Sequence, residues 1–127
     1  MRDMLGQAVD WLNKQRVAHL AESVVYVRGA AAVNVEATLG STRYEQMDEA
    51  GATVQAVATD FIIAARELVF DGVETHPQIG DRLRRRAGAK VLVFEVLDLA
   101  GAGHWRPADP FGQVLRIHTK QVDEETF

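Results

Sequence analysis

The chain contains no cysteine. Disulfide scaffolds, thiolate zinc sites and cysteine nucleophiles are excluded together, and a reducing cytoplasm is the compartment that fits. There is no excess of basic charge either: 14 Lys and Arg stand against 18 Asp and Glu, for a formal net charge of -4. A nucleic-acid binder usually shows a strong basic surplus, so this balance gives no general reason to expect one. No apolar run approaches the ~20 residues of a membrane-spanning helix. The N-terminus, with Arg2 and Asp3 beside Met4, lacks the apolar core and small-residue cleavage site of a secretory signal, so none is expected. Serine occurs only at Ser23 and Ser41, neither in the Gly-x-Ser-x-Gly setting of an acyl-transfer nucleophile. The sequence holds no internal repeat and no low-complexity tract.

What is present is the composition of an ordinary folded domain, 47% hydrophobic and 25% charged, in a chain long enough to bury a core unaided. One domain is expected, with an N-terminal helix over 1–22, a β domain over 23–122 and an acidic tail over 123–127. Met4, Leu5, Ala8, Val9, Trp11, Leu12, His19 and Leu20 share a stripe at helical spacing, opposite Asp3, Asp10, Asn13 and Lys14, so residues 3–22 read as an amphipathic helix. That stripe, Trp11 included, must be buried against the body or against a neighbouring molecule.

From Ser23 the period becomes two. A strand over 23–28 leads to a turn at Gly29-Ala30, and Val33, Val35, Ala37 and Leu39 then share one face of a second strand. Gly40-Ser41 reads as another turn, followed by a short strand over 42–46 and a mobile acidic loop, Met47 to Gly51, that carries Asp48 and Glu49. Residues 53–63 read as a strand, and Ala64 to Leu68 as one helical turn ended by Gly72. Leu83 to Arg86 and Lys90 to Leu97 form a hairpin across Ala87-Gly88-Ala89. The last strand, Gln113 to Lys120, turns Leu115 and Ile117 inward and Arg116, His118 and Lys120 outward, before Asp123-Glu124-Glu125, which should fray. The fold expected is mainly β: a small antiparallel β-barrel or sandwich with an N-terminal amphipathic helix and one short helical turn.

Residues that carry chemistry do not converge. His19, His76, His104 and His118 lack metal-ligand spacing. Gly101-Ala102-Gly103 lacks the Lys-Ser/Thr ending and the following helix of a phosphate loop. Asp60 and Glu95 sit among apolar strand residues, where a carboxylate is costly unless paired; Arg84 or Arg116 is the partner expected for Glu95. No catalytic, metal or cofactor-binding set is found, and neither an enzyme nor a cofactor is expected. The concentrated charge is Arg82, Arg84, Arg85, Arg86 and Lys90. On a strand Arg82, Arg84 and Arg86 share a face, which suits an acidic partner surface, a solvated hairpin tip or DNA phosphate. Trp105-Arg106-Pro107-Ala108-Asp109-Pro110-Phe111 should be extended and partly exposed, because proline cannot donate to a ladder. Trp105 and Phe111 are thus candidate interface anchors, or Trp105 plugs one end of the barrel.

Pro77-Gln78-Ile79-Gly80-Asp81-Arg82-Leu83 presets one φ and, three residues on, supplies a glycine for φ > 0, turning the chain sharply into a strand. Asp60-Phe61-Ile62-Ile63, this turn, the strand with Glu95-Val96, and the closing Trp105–Phe111 and Leu115–Lys120 segments together resemble the small head-tail joining proteins of tailed bacteriophages. The resemblance covers about residues 23–120. It implies a homo-oligomeric ring in the neck of the virion, between the portal or its adaptor and the tail, that closes the DNA-filled head and offers the tail a docking surface. It also implies assembly in the host cytoplasm, contact with portal or adaptor and with tail terminator or tail proteins, packaged DNA in the lumen without sequence-specific contact, and no membrane partner. Leu83, Val91, Val93, Phe94 and Val96 would be core, and the loop at Asp48-Glu49 a contact or gating loop. A tail terminator of the same neck is the alternative within this setting. Outside it, the alternative is a cytoplasmic β-barrel module for nucleic acid or a small ligand.

Overall fold

A computed structural model describes residues 6–11 and 21–126. Residues 6–11 are helical; the rest of the helix expected over 3–22 lies outside the described residues, except its end. There the chain is already extended, because Glu22 opens the first strand, β1 (Glu22–Arg28). β2 (Ala31–Met47) and β3 (Thr53–Ala64) form a long hairpin, and a 3₁₀ turn (Ala65–Glu67) follows. β4 (Val69–Phe70) and β5 (Val73–Glu74) make a separate two-stranded hairpin that the sequence reading missed. Its turn carries Asp71 and Gly72, both at positive φ. β6 (Arg82–Ala87), β7 (Lys90–Val96), β8 (Trp105–Pro107) and β9 (Val114–Thr126) complete the chain.

The main sheet has seven strands in the order β3-β2-β1-β6-β7-β9-β8, every pairing antiparallel. β3 also pairs with β9, so the sheet curls back on itself and its halves face each other across one core. Of the two architectures expected, the outcome is the sandwich-like one. Inward alternation builds the core: Val24 and Tyr26 on β1, Val35 and Ala37 on β2, Phe61 and Ile63 on β3, Leu83, Phe94, Val96, Leu115 and Ile117. Phe61 and Phe94 meet edge to face with centroids 5.1 Å apart, an arrangement the ring quadrupoles favour. Val91, expected in the core with its neighbours, is only half-buried, because it lies between Arg86 on β6 and Glu125 on β9.

Three further expectations are corrected by long-range pairing. Gly40-Ser41 makes no turn; β2 runs straight through it. Gly40 is there for space: a Cβ at this position would meet the Arg116 guanidinium at 3.3 Å and Ile62 at 3.5 Å. Leu39 shares the face of Val35 and Ala37 yet is 40% exposed, because the β1 ladder ends at Ala37 and no described strand continues it. The acidic tail does not fray. β9 extends to Thr126, held by β7 and by ion pairs of Glu124 with Lys90 and Glu125 with Arg84.

Candidate functional site

Two polar networks organise the surface of the sandwich. The first is built on the Pro77 turn. Gly80 takes φ 94°, and the turn docks on β7 through Gly80 N–H to Val96 O (3.0 Å) and Val96 N–H to Asp81 O (2.8 Å). The Asp81 carboxylate, 4% exposed, accepts from the Arg28 guanidinium at 2.8–3.2 Å, from the Gln78 N–H at 2.9 Å and from the Tyr26 hydroxyl. Arg28 also donates to Thr75 Oγ1 (3.1 Å) and His76 O (2.8 Å) and lies over the Phe70 ring. One guanidinium thus ties the end of β1 to Phe70, Thr75, His76 and Asp81. Burial, then the bond to Asp81, pushes the Tyr26 hydroxyl far above the usual phenol range. The same carboxylate raises the Arg28 pKa. His76 stacks on Trp105 with centroids 4.8 Å apart. The carbonyl of Pro77 can only accept, so His104 Nε2, 2.8 Å away, donates to it.

The second network centres on Asp60, fully buried on the sheet face opposite Phe61. The β3–β9 register sets His118 directly across from it and Arg116 diagonally. Asp60 accepts from His118 Nδ1 (2.8 Å), Arg116 Nη1 (2.8 Å) and the Thr42 hydroxyl. Burial pushes its carboxyl upward, but the bonds from His118, Thr42 and Arg116 outweigh burial and hold it below its ordinary 3.8. His118 lies on the outward face expected of it, opposite Ile117, and is nonetheless buried within this cluster. Glu95 pairs with Arg82 at 3.5 Å and not with Arg84 or Arg116, since Arg82 is its cross-strand neighbour.

The candidate contact residues fall on separate elements. Trp11 is 60% exposed on the 6–11 helix, and Phe111 is 42% exposed in the turn between β8 and β9. That turn is held by Asp109, which accepts from the Phe111 and Val114 N–H groups at 3.0 and 2.8 Å. Trp105 is half-buried against the core and on His76. Asp48 accepts from the N–H groups of Ala50 and Ala52, both at 2.9 Å, and so closes the β2–β3 hairpin, with Glu49 exposed at its tip. The arginine stripe faces its own chain: Arg82 meets Glu95, Arg84 meets Glu125, and Arg86 stands exposed opposite Val91. Sequence reading missed Tyr26, Arg28 and Thr42, because their partners are 18 to 55 positions away.

Among the described residues, no three His, Asp or Glu side chains gather as a metal site requires, and no helix is long and apolar enough to cross a membrane. The polar clusters hold chain segments in place, and the fold defines a mainly β, sandwich-like protein. A family model described as phage head-tail joining protein matches residues 2–126, and the chain belongs to that family. No curated protein matches it.

Proposed function

We propose that this protein forms a homo-oligomeric ring in the neck of a tailed-phage virion, between portal or adaptor and tail. There it closes the DNA-filled head and docks the tail. The observation that carries the reading is the family match along almost the whole chain, joined to a fold whose buried polar groups are spent on rigidity. Two surfaces suit contacts with neighbours. One is the exposed Phe111 turn, which Asp109 presents rigidly and which adjoins the Pro77 network through β8 and Trp105. The other is the β2–β3 hairpin, with Asp48 and Glu49 at its tip. Beside these two, Trp11 offers an exposed apolar side chain. Arg82 and Arg84 act within the subunit first, because their carboxylate partners are its own.

The test is complementation. Phage lacking this protein should accumulate packaged heads that lose DNA, beside free tails, and purified protein should restore joining in vitro. Tails that join normally without it would refute the reading.

A further inference from the structure

The β2–β3 hairpin outruns the sheet that carries it. β1 pairs with β2 only as far as Ala37, and β9 pairs with β3 only from Thr59 onward. Thr42–Met47 and Thr53–Ala58 therefore have only each other as ladder partners among the described residues. They form a two-stranded ribbon, about 20 Å long at the usual strand rise, with a row of backbone donors and acceptors open along each side. Proteins normally blunt such edges with charge, proline or a covering element. Thr53-Val54-Gln55-Ala56-Val57-Ala58 has neither charge nor proline, and Val57 is 62% exposed. Its composition suits strand pairing.

We infer that the Thr53–Ala58 edge of one copy pairs with the open Thr42–Met47 edge of the ribbon in the next copy. This occupant rests on the neck-ring reading and names the surface through which the copies join. Because β2 and β3 are antiparallel within the ribbon, a rotation that sets identical ribbons side by side brings β3 against the neighbour's β2 in antiparallel sense. Arg43 and Glu45 on that neighbouring edge then meet an uncharged strand, so no like charges oppose one another. Pairing two β3 edges about a two-fold axis would leave both β2 edges open. The head-to-tail arrangement leaves none open once the ring closes.

The absence of native cysteine makes the test clean. Within one chain Glu45 and Gln55 face each other, so Gln55→Cys and Glu45→Cys are made as separate full-length proteins. They are mixed, assembled and treated with a short bis-maleimide that tolerates a register shift. The mixture should yield dimers at least about tenfold above a mixture containing Ala89→Cys, placed in the β6–β7 turn, as ordered proximity gives a high effective concentration. Amide exchange over 53–58 should slow by about tenfold or more in rings relative to monomer. Efficient linking of Gln55→Cys to itself, with no gain on mixing, would show a two-fold dimer and overturn the inference. Rings visible by electron microscopy without a 45–55 link would overturn it while leaving the ring reading intact. Absence of rings both from the isolated protein and from virion necks would remove the ring reading itself, and this pairing with it.

Discussion

Asp60 shows how one buried carboxylate joins three strands. Thr42 on β2, Arg116 and His118 on β9 and Asp60 itself on β3 meet at the base of the projecting ribbon. Asp60→Asn leaves the Arg116 charge without its partner, and removing one member of a buried pair costs on the order of 3 kcal/mol. Urea unfolding at neutral pH should show that loss. The pH dependence follows from the depressed carboxyl. Its stabilisation is complete above the unfolded-chain value near 3.8 and is lost as pH falls through the lower folded value. The Asn variant should therefore lose less stability than the wild type on acidification through this window. Equal losses would mean that the cluster does not govern acid stability.

At the scale of elements, β8 and the turn after it divide two roles that the sequence placed together. Trp105 stacks on His76 and packs against the core, so Trp105→Ala should lower stability by about 3 kcal/mol, in the range for aromatic truncation in a core. Phe111 is exposed on a turn fixed by Asp109, so Phe111→Ala should leave the melting temperature unchanged and weaken assembly about tenfold or more, as loss of an interface anchor does. Thermal melts and head-tail joining assays separate the two outcomes. The end of β9 gives another check. The Glu125 carboxylate raises the Arg84 pKa and Glu124 does the same for Lys90, yet these groups are well exposed, and solvent screening leaves such pairs little weight in stability. Glu124→Gln with Glu125→Gln should leave global stability nearly unchanged while amide exchange over 123–126 accelerates.

For the whole molecule, the charge pattern gives no general reason to expect duplex binding by the free protein. Arg82 and Arg84 are neutralised by their own chain, and the net charge is -4. Duplex binding by the free protein should be negligible at physiological salt, and changing Arg82, Arg84 and Arg86 to Gln should leave it so. Binding whose logarithm falls with log salt at about -0.9 per phosphate, flattened in the triple variant, would reverse that conclusion.

Local chemistry in the sequence was enough for alternating strands, the β6–β7 hairpin, the helical turn after Ala64 and the Pro77–Asp81 turn. Each depends on side-chain parity or on φ preferences within a few residues. The need of Asp60 and Glu95 for cationic partners was also legible, since a carboxylate among apolar strand residues must be paired. Which cation answered was not. Arg116 and His118 reach Asp60 only because β3 and β9 pair in one particular register, 56 and 58 positions apart. Gly40 read as a turn because glycine permits one, and only the approach of Arg116 shows that the missing side chain serves space. The acidic C-terminal residues read as a frayed tail because their arginine and lysine partners lie on β6 and β7. Register between distant strands is chosen by the whole core at once, and that choice belongs to the tertiary structure.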